Sequence, residues 1–300
     1  MIAAEAVPSL SPQFLDVGGV RTRHVAGGEG PPVVLLHGIG RSLEDFEPTI
    51  RALSTTHRVY APDMIGFGYT GKPEVNYSLS GLARFVRHYL DAVGETRPVT
   101  LIGNSLGGAV AQTFAVMYPE QTCGLVLVNS AGFGRDVALA LRLCAVPGLG
   151  ERLLAPDPGS ARRVTRSLFA SPDFATPERT AHTLALSQQP GAARAFLSVL
   201  RSIGTVRGAR AEWQAEMAAR LPALRLPTLI VWGDRDEILP ARHLEAARRT
   251  HPHATVHLFT QTGHVPQIER EAEFTALLRS FLEQNRSGAA QRGTGDGRHH

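Results

Sequence analysis

The chain has 300 residues, 43% of them hydrophobic and 19% charged, which is enough apolar material for a sizeable core in one large or two ordinary domains. Its formal net charge of +4 is carried almost wholly by arginines scattered among acids, with no basic run interleaved with aromatics, which argues against nucleic-acid binding. The start lacks a basic n-region, and no apolar stretch approaches the roughly 20 residues that span a bilayer, so the default expectation is a soluble cytoplasmic protein with no membrane partner.

In chain order, Phe14 to Val17, Gly18-Gly19 and Val20 to Val25 read as a β-hairpin around a Gly-Gly turn. Val33-Val34-Leu35-Leu36 is a continuous apolar run, as in a central parallel strand. Ser42 to Leu53 reads as a helix, with Ser42 and Asp45 as a capping-box variant at its start. Arg58 to Ala61 is a further strand, ending at Pro62-Asp63, and Ser80 to Val93 is an amphipathic helix. Pro98 to Ile102 reads as a buried strand, and Ala109 to Ala115 as a helix. Between them lies Gly103-Asn104-Ser105-Leu106-Gly107-Gly108. Another strand covers Gly124 to Val128, with Cys123 opening it as a packing residue. The two cysteines, Cys123 and Cys144, suggest no disulfide framework.

The alternation then stops. From about Gly132 to Leu224 the pattern is helical, with breakers and no convincing strand. It resumes with a strand from Thr228 to Trp232, a helix from Ala241 to Arg249, a strand from Ala254 to Phe259 and a helix from Pro266 to about Glu283. The Gly-, Arg- and Ser-rich stretch from Gln284 to His300 reads as disordered. This pattern implies an α/β protein with a mostly parallel central sheet and helices on both faces. The expected division is a core in two parts, 1–131 and 225–284, a helical cap at 132–224, and a tail at 285–300. Ligands of open α/β sheets bind at the carboxyl ends of the strands, so the cap should roof that edge.

Strand, G-x-S-x-G and helix together form a turn so sharp that side chains two positions either side of Ser105 would collide; Gly103 and Gly107 remove them. A serine hydroxyl is a poor nucleophile unless a base lies in hydrogen-bond reach and a third group orients that base. Gly233-Asp234-Arg235-Asp236, which offers Asp236 or Asp234, and His264 after Gly263 both follow strands, at the same sheet edge as Ser105. An oxyanion hole needs backbone donors, and the Leu106 N–H directly follows the nucleophile. The second donor falls in the loop His37-Gly38-Ile39-Gly40, where it is assigned to the Ile39 N–H with Gly40 in reserve. No C-x-x-C pair, H-E-x-x-H or strand-linked G-x-G-x-x-G occurs, so neither a metal nor a cofactor is expected.

From about Phe14 to Glu283 the chain resembles the α/β-hydrolase superfamily. The resemblance rests on His37-Gly38, Asp63 to Gly68, the Ser105 turn, Gly233 to Asp236 and Gly263-His264, in that order. It implies Ser105 as nucleophile, Asp236 as acid and His264 as base, with Asp234 bracing its turn, Asp63 bracing a loop and His37 anchoring one. The expected function is a serine hydrolase on carboxylic esters with small or medium apolar acyl groups. The stretch Asp63-Met64-Ile65-Gly66-Phe67-Gly68-Tyr69-Thr70 also looks like that of meta-cleavage product hydrolases, which cut a C–C bond in dienoates. The chain departs from them in lacking a Gly-Pro-Gly continuation after His37 and in carrying Val265, not tryptophan, after His264. Those enzymes hold the substrate carboxylate with groups that include a cap arginine, and Arg142, Arg166, Arg194 and Arg201 are all candidates here. An acyltransferase or a small-molecule receptor on the same fold stays open, as does a homodimer.

Overall fold

The computed structural model describes residues 10–293. The elements, in order, are β1 (Gln13–Val17), β2 (Val20–Gly27), β3 (Pro32–Leu36), α1 (Glu47–Leu53), β4 (Arg58–Pro62), α2 (Leu79–Ala92), β5 (Val99–Asn104), α3 (Leu106–Met117) and β6 (Thr122–Val128). A long insert follows: α4 (Leu139–Cys144), α5 (Leu149–Leu153), α6 (Pro158–Ser167), α7 (Pro177–Ser187), α8 (Ala192–Ile203), β7 (Gly204–Thr205), β8 (Gly208–Ala209) and α9 (Ala211–Leu224). The chain closes with β9 (Thr228–Gly233), α10 (His243–Thr250), β10 (Thr255–Phe259), α11 (Pro266–Glu269) and α12 (Glu271–Gly293).

One sheet runs β1-β2-β4-β3-β5-β6-β9-β10, antiparallel at the β1–β2 and β2–β4 pairs and parallel from β4 onward. The inner strands are buried throughout and mostly apolar because both faces are covered. On one face Leu82, Val86, Ala109, Val110, Phe114, Met217 and Leu221 bring α2, α3 and α9 onto the sheet; on the other Ile50, Leu53, Phe274 and Leu278 bring α1 and α12. No helix among the described residues is long and apolar enough to cross a membrane.

Four expectations are corrected. The segment 42–53 is a 3₁₀ turn, Leu43–Phe46, followed by α1 with Pro48 in its first turn, and no capping box forms. The Ser42 hydroxyl bonds Glu44 and His182, and Asp45 pairs with Arg41, so neither side chain is free to cap. Cys123 is exposed, because Val99 pairs with Thr122 and Thr100 with Gly124, leaving Cys123 as the extra residue of a bulge turned outward. The insert holds a small hairpin, β7–β8, whose two-residue strands are too short to show any alternation. The final helix breaks at Arg270, and α12 continues through Gly293 instead of ending near Glu283. The break lets Glu269 and Arg270 reach back to the loop after β10. The remainder of the expected disordered tail lies outside the described residues.

Candidate active site

Ser105 caps the N-terminus of α3 at φ 56° and ψ −115°, a conformation that non-glycine residues avoid. The strain is held by packing and by the ladder. Its N–H donates to the Val128 carbonyl at 3.0 Å, and its own carbonyl accepts from Gly108, Ala109 and Ala131. A methyl on Gly103 would lie 2.3 Å from the Gly107 backbone, and one on Gly107 would lie 2.0 Å from the Leu36 carbonyl. Here the sheet, the turn and α3 touch backbone to backbone, which only glycine permits.

Asp236 and His264 meet directly. The His264 Nδ1–H donates to Asp236 Oδ2 at 2.8 Å, with both side chains buried. Asp236 Oδ2 also accepts from Asn129 Nδ2 at 2.7 Å, and Oδ1 accepts from the Ile238 and Leu239 N–H groups at 2.8 and 3.0 Å. Four donors therefore converge on one carboxylate and fix its orientation. Trp232, at the end of β9, closes the same loop by donating its Nε1–H to the Leu239 carbonyl at 2.9 Å. The Ser105 hydroxyl is not hydrogen-bonded to His264 in this arrangement. The two groups are joined one residue away: Asn104 Nδ2 donates to both the His264 and the Val128 carbonyls, at 3.0 and 3.1 Å.

Ser105, Ile39 and Leu106 line one cavity of about 60 Å³. The loop of Ile39 passes close to the serine, since a methyl on Gly38 would lie 3.5 Å from the Ser105 Cβ. Leu106 is the first residue of α3, where backbone N–H groups have no helical partner. The rest of the wall is mostly apolar, with Val137, Leu141, Leu200, Ile203, Trp213 and Leu239 prominent. Among the described residues lining it, Arg142 is the one charged side chain, and its Nε–H donates to the Val206 carbonyl at 2.8 Å. Of the other candidate arginines, Arg166 bonds the Phe169 and Ala170 carbonyls, Arg194 pairs with Glu74, and Arg201 pairs with Glu151.

Neighbouring polar residues serve as struts. His37 donates from Nδ1 to the Gly38 carbonyl at 2.8 Å and accepts the Met64 N–H at Nε2 at 3.0 Å, so one imidazole pins two loops. Burial pulls its pKa down, against the raising influence of Asp63 and the Gly38 carbonyl, which suits a neutral strut. Asp63 accepts from the Leu43 and Tyr69 N–H groups at 2.8 and 2.9 Å, as expected of a loop brace. Asp234 accepts the Thr262 N–H at 3.2 Å and so braces the turn before His264. Sequence reasoning missed Asn104, Asn129 and Trp213. Asn129 carried a signal, since it directly follows an apolar strand at the active edge and asparagine tolerates its φ of 43°.

The model of the α/β hydrolase fold matches residues 31–271. An uncharacterized protein of Mycobacterium tuberculosis is 30% identical over 290 residues, covering 93% of this chain and 82% of that one. The 2-hydroxymuconate semialdehyde hydrolase of a Pseudomonas species is 29% identical, covering 95% of this chain and 98% of that one. Among solved structures, a meta-cleavage product hydrolase from Pseudomonas fluorescens superposes with a TM-score of 0.76 at 30% identity, over 91% of this chain and 97% of that one.

Proposed function

Taking as premise that the chain belongs to the α/β hydrolase fold family, we propose that it is a serine hydrolase of carboxylic esters with small or medium apolar acyl groups. The observation that carries this reading is the bonded Asp236–His264 pair at the same sheet edge as a strained Ser105 that opens onto an apolar cavity. Residues 132–224 act as a cap that supplies most of the cavity wall. With Nδ1–H held by Asp236, the His264 Nε2 takes the Ser105 proton as the hydroxyl attacks the ester carbonyl. The Leu106 and Ile39 N–H groups hold the oxyanion, each contributing about 3–4 kcal/mol to the transition state. His264 then protonates the leaving alcohol, and water that it activates releases the acid from the acyl-enzyme. Substrate enters as a small molecule, and the site of action is the cytoplasm. An apolar fluorophosphonate tests the machinery: a stoichiometric adduct on Ser105, found by peptide mass spectrometry and absent in Ser105→Ala, is expected. Labelling elsewhere, or none in active ester-cleaving protein, would refute the assignment.

A second reading, C–C hydrolysis of a dienoate, is favoured by Arg142. It is a guanidinium in an otherwise apolar cavity, suited to a substrate carboxylate. On that reading Arg142→Gln raises KM for a ring-cleavage dienoate at least about tenfold and leaves KM for p-nitrophenyl butyrate unchanged. An equal change for both substrates contradicts it.

A further inference from the structure

Among the described residues, hydrogen bonds tie the α6 and α7 region to the core at two loops, and each carries part of the machinery. The first is the loop after β3. Arg41, two residues beyond Ile39, is buried and makes a two-pronged pair with Asp45 at 2.9 and 2.6 Å. Its remaining prong, Nη1, donates at 2.9 Å to Thr183 Oγ1 on α7. Burial works against the Arg41 charge, yet the Asp45 carboxylate raises its pKa above the usual guanidinium range. The Ser42 hydroxyl meets His182 Nε2 of the same helix at 2.8 Å. The second place is the loop after β10. The His264 N–H donates to the Leu168 carbonyl at 2.8 Å. Glu269 spans the seam: its Oε1 accepts from the Ala170 and Ser171 N–H groups at 2.8 and 3.1 Å, and its Oε2 accepts from the Gly263 N–H at 2.5 Å. Within the insert the two seams are joined, because Thr165 Oγ1 on α6 donates to Thr183 Oγ1 on α7 at 3.0 Å.

A continuous hydrogen-bonded path therefore runs from the oxyanion loop through Arg41, Thr183, Thr165 and α6 to the loop of the base. A carboxylate bonded by three backbone N–H groups and a planar guanidinium with three fixed prongs are stiff connectors. There is no room at the second seam for slack, since a methyl on Gly263 would lie 2.6 Å from the Leu168 carbonyl.

We propose that Glu269 and Arg41 are positioning residues through which the α6–α7 hairpin sets the separation between the oxyanion donors and His264. The cap is then part of the catalytic frame as well as the wall of the cavity. This rests on the serine-hydrolase reading, because it assigns roles relative to Ser105, Ile39 and His264.

The test uses the full chain and p-nitrophenyl butyrate, with active sites counted by titration to completion with an apolar fluorophosphonate. The variants are Thr183→Val, which keeps shape but removes the Oγ that joins both helices, and Glu269→Gln, which keeps size but loses the charge. Each is expected to lower kcat per counted site at least about tenfold, because displacing reacting groups by an ångström costs roughly a hundredfold. KM should stay within about twofold, since neither side chain lines the cavity. The double variant should lose much less than the product of the two single losses, because both break one path. A purely structural role would lower thermal stability and the fraction of active sites but leave kcat per site at the wild-type value, and that result overturns the proposal. Should Glu269→Gln fail to fold, Thr183→Val alone decides it. Absence of Ser105-dependent turnover and of fluorophosphonate labelling in wild type would instead overturn the serine-hydrolase reading and the proposal with it.

Discussion

Two aspartates lie two positions apart after β9, and their surroundings separate their roles. Asp236 is buried, with four donors including His264, whereas Asp234 holds a single Thr262 N–H and faces Arg235 at 4.0 Å. Asp236→Asn should lower kcat by roughly 10⁴-fold, because an amide can present the wrong partner to the imidazole. Asp234→Asn should cost no more than about threefold, the range of a weak surface brace. Equal losses in steady-state kinetics would contradict this division. At this scale the sequence was legible where chemistry comes in motifs. Ser105, Asp236, His264, His37 and Asp63 each sit in a pattern of glycines or strand ends. Glu269 and Arg41 do not, and Asn104 and Asn129, though they stand at the ends of β5 and β6, have partners that no local pattern names. Their roles depend on groups brought from more than 20 residues away, except for the near partners of Arg41 and Glu269, and a lone polar residue has no periodicity to announce it.

Among the elements, the central strands were legible because burial on both faces leaves unbroken apolar runs, and β3, β5, β6 and β9 all read this way. Elements that were misread are those whose ends depend on side chains used elsewhere. The start of α1 lost its cap to contacts with Glu44, His182 and Arg41, and the α11–α12 break follows two side chains reaching backward. The junction of β5 with α3 has the tightest tolerance. Gly107→Ala places a methyl 2.0 Å from the Leu36 carbonyl, which must displace backbone. We expect a loss of at least about 3 kcal/mol in urea unfolding, the upper range for overpacking. Gly81→Ala is the matched control. Its methyl would meet the Ser78 hydroxyl, the N-cap that accepts the Gly81 N–H, at 3.3 Å, so that hydroxyl must give by only a few tenths of an ångström with the cap kept, and alanine favours a helix. It should change stability by less than about 0.5 kcal/mol; similar midpoints for the two variants would contradict the packing account.

Across the whole molecule, buried histidines make folding proton-linked. His251, packed edge-on against Phe133, is held down to about 4 by burial, and burial also lowers His24, His37 and His243. Between about 4 and the ordinary value of 6.5 the unfolded chain binds a proton at His251 that the folded chain does not. Stability from this group is therefore fully present above pH 6.5 and is lost as the pH falls toward 4. From pH 7.5 to pH 5 the loss attributable to His251 is about 2 kcal/mol. Urea midpoints should fall over that interval, and His251→Gln should flatten the decline; an unchanged slope would contradict it. The overall plan was legible from alternation alone, with a sheet interrupted by a helical block. How that block grips the core was not, because Thr183, Leu168 and Ala170 act through single hydroxyls and backbone groups. The central claim is that Ser105 attacks an apolar ester in this cavity. Its most direct test is hydrolysis of p-nitrophenyl esters from acetate to laurate by wild type and Ser105→Ala. The account predicts turnover that peaks at a short or medium chain and falls by roughly 10⁴-fold or more in the variant. Turnover that persists without the serine hydroxyl, or none at any chain length in wild type, would contradict it.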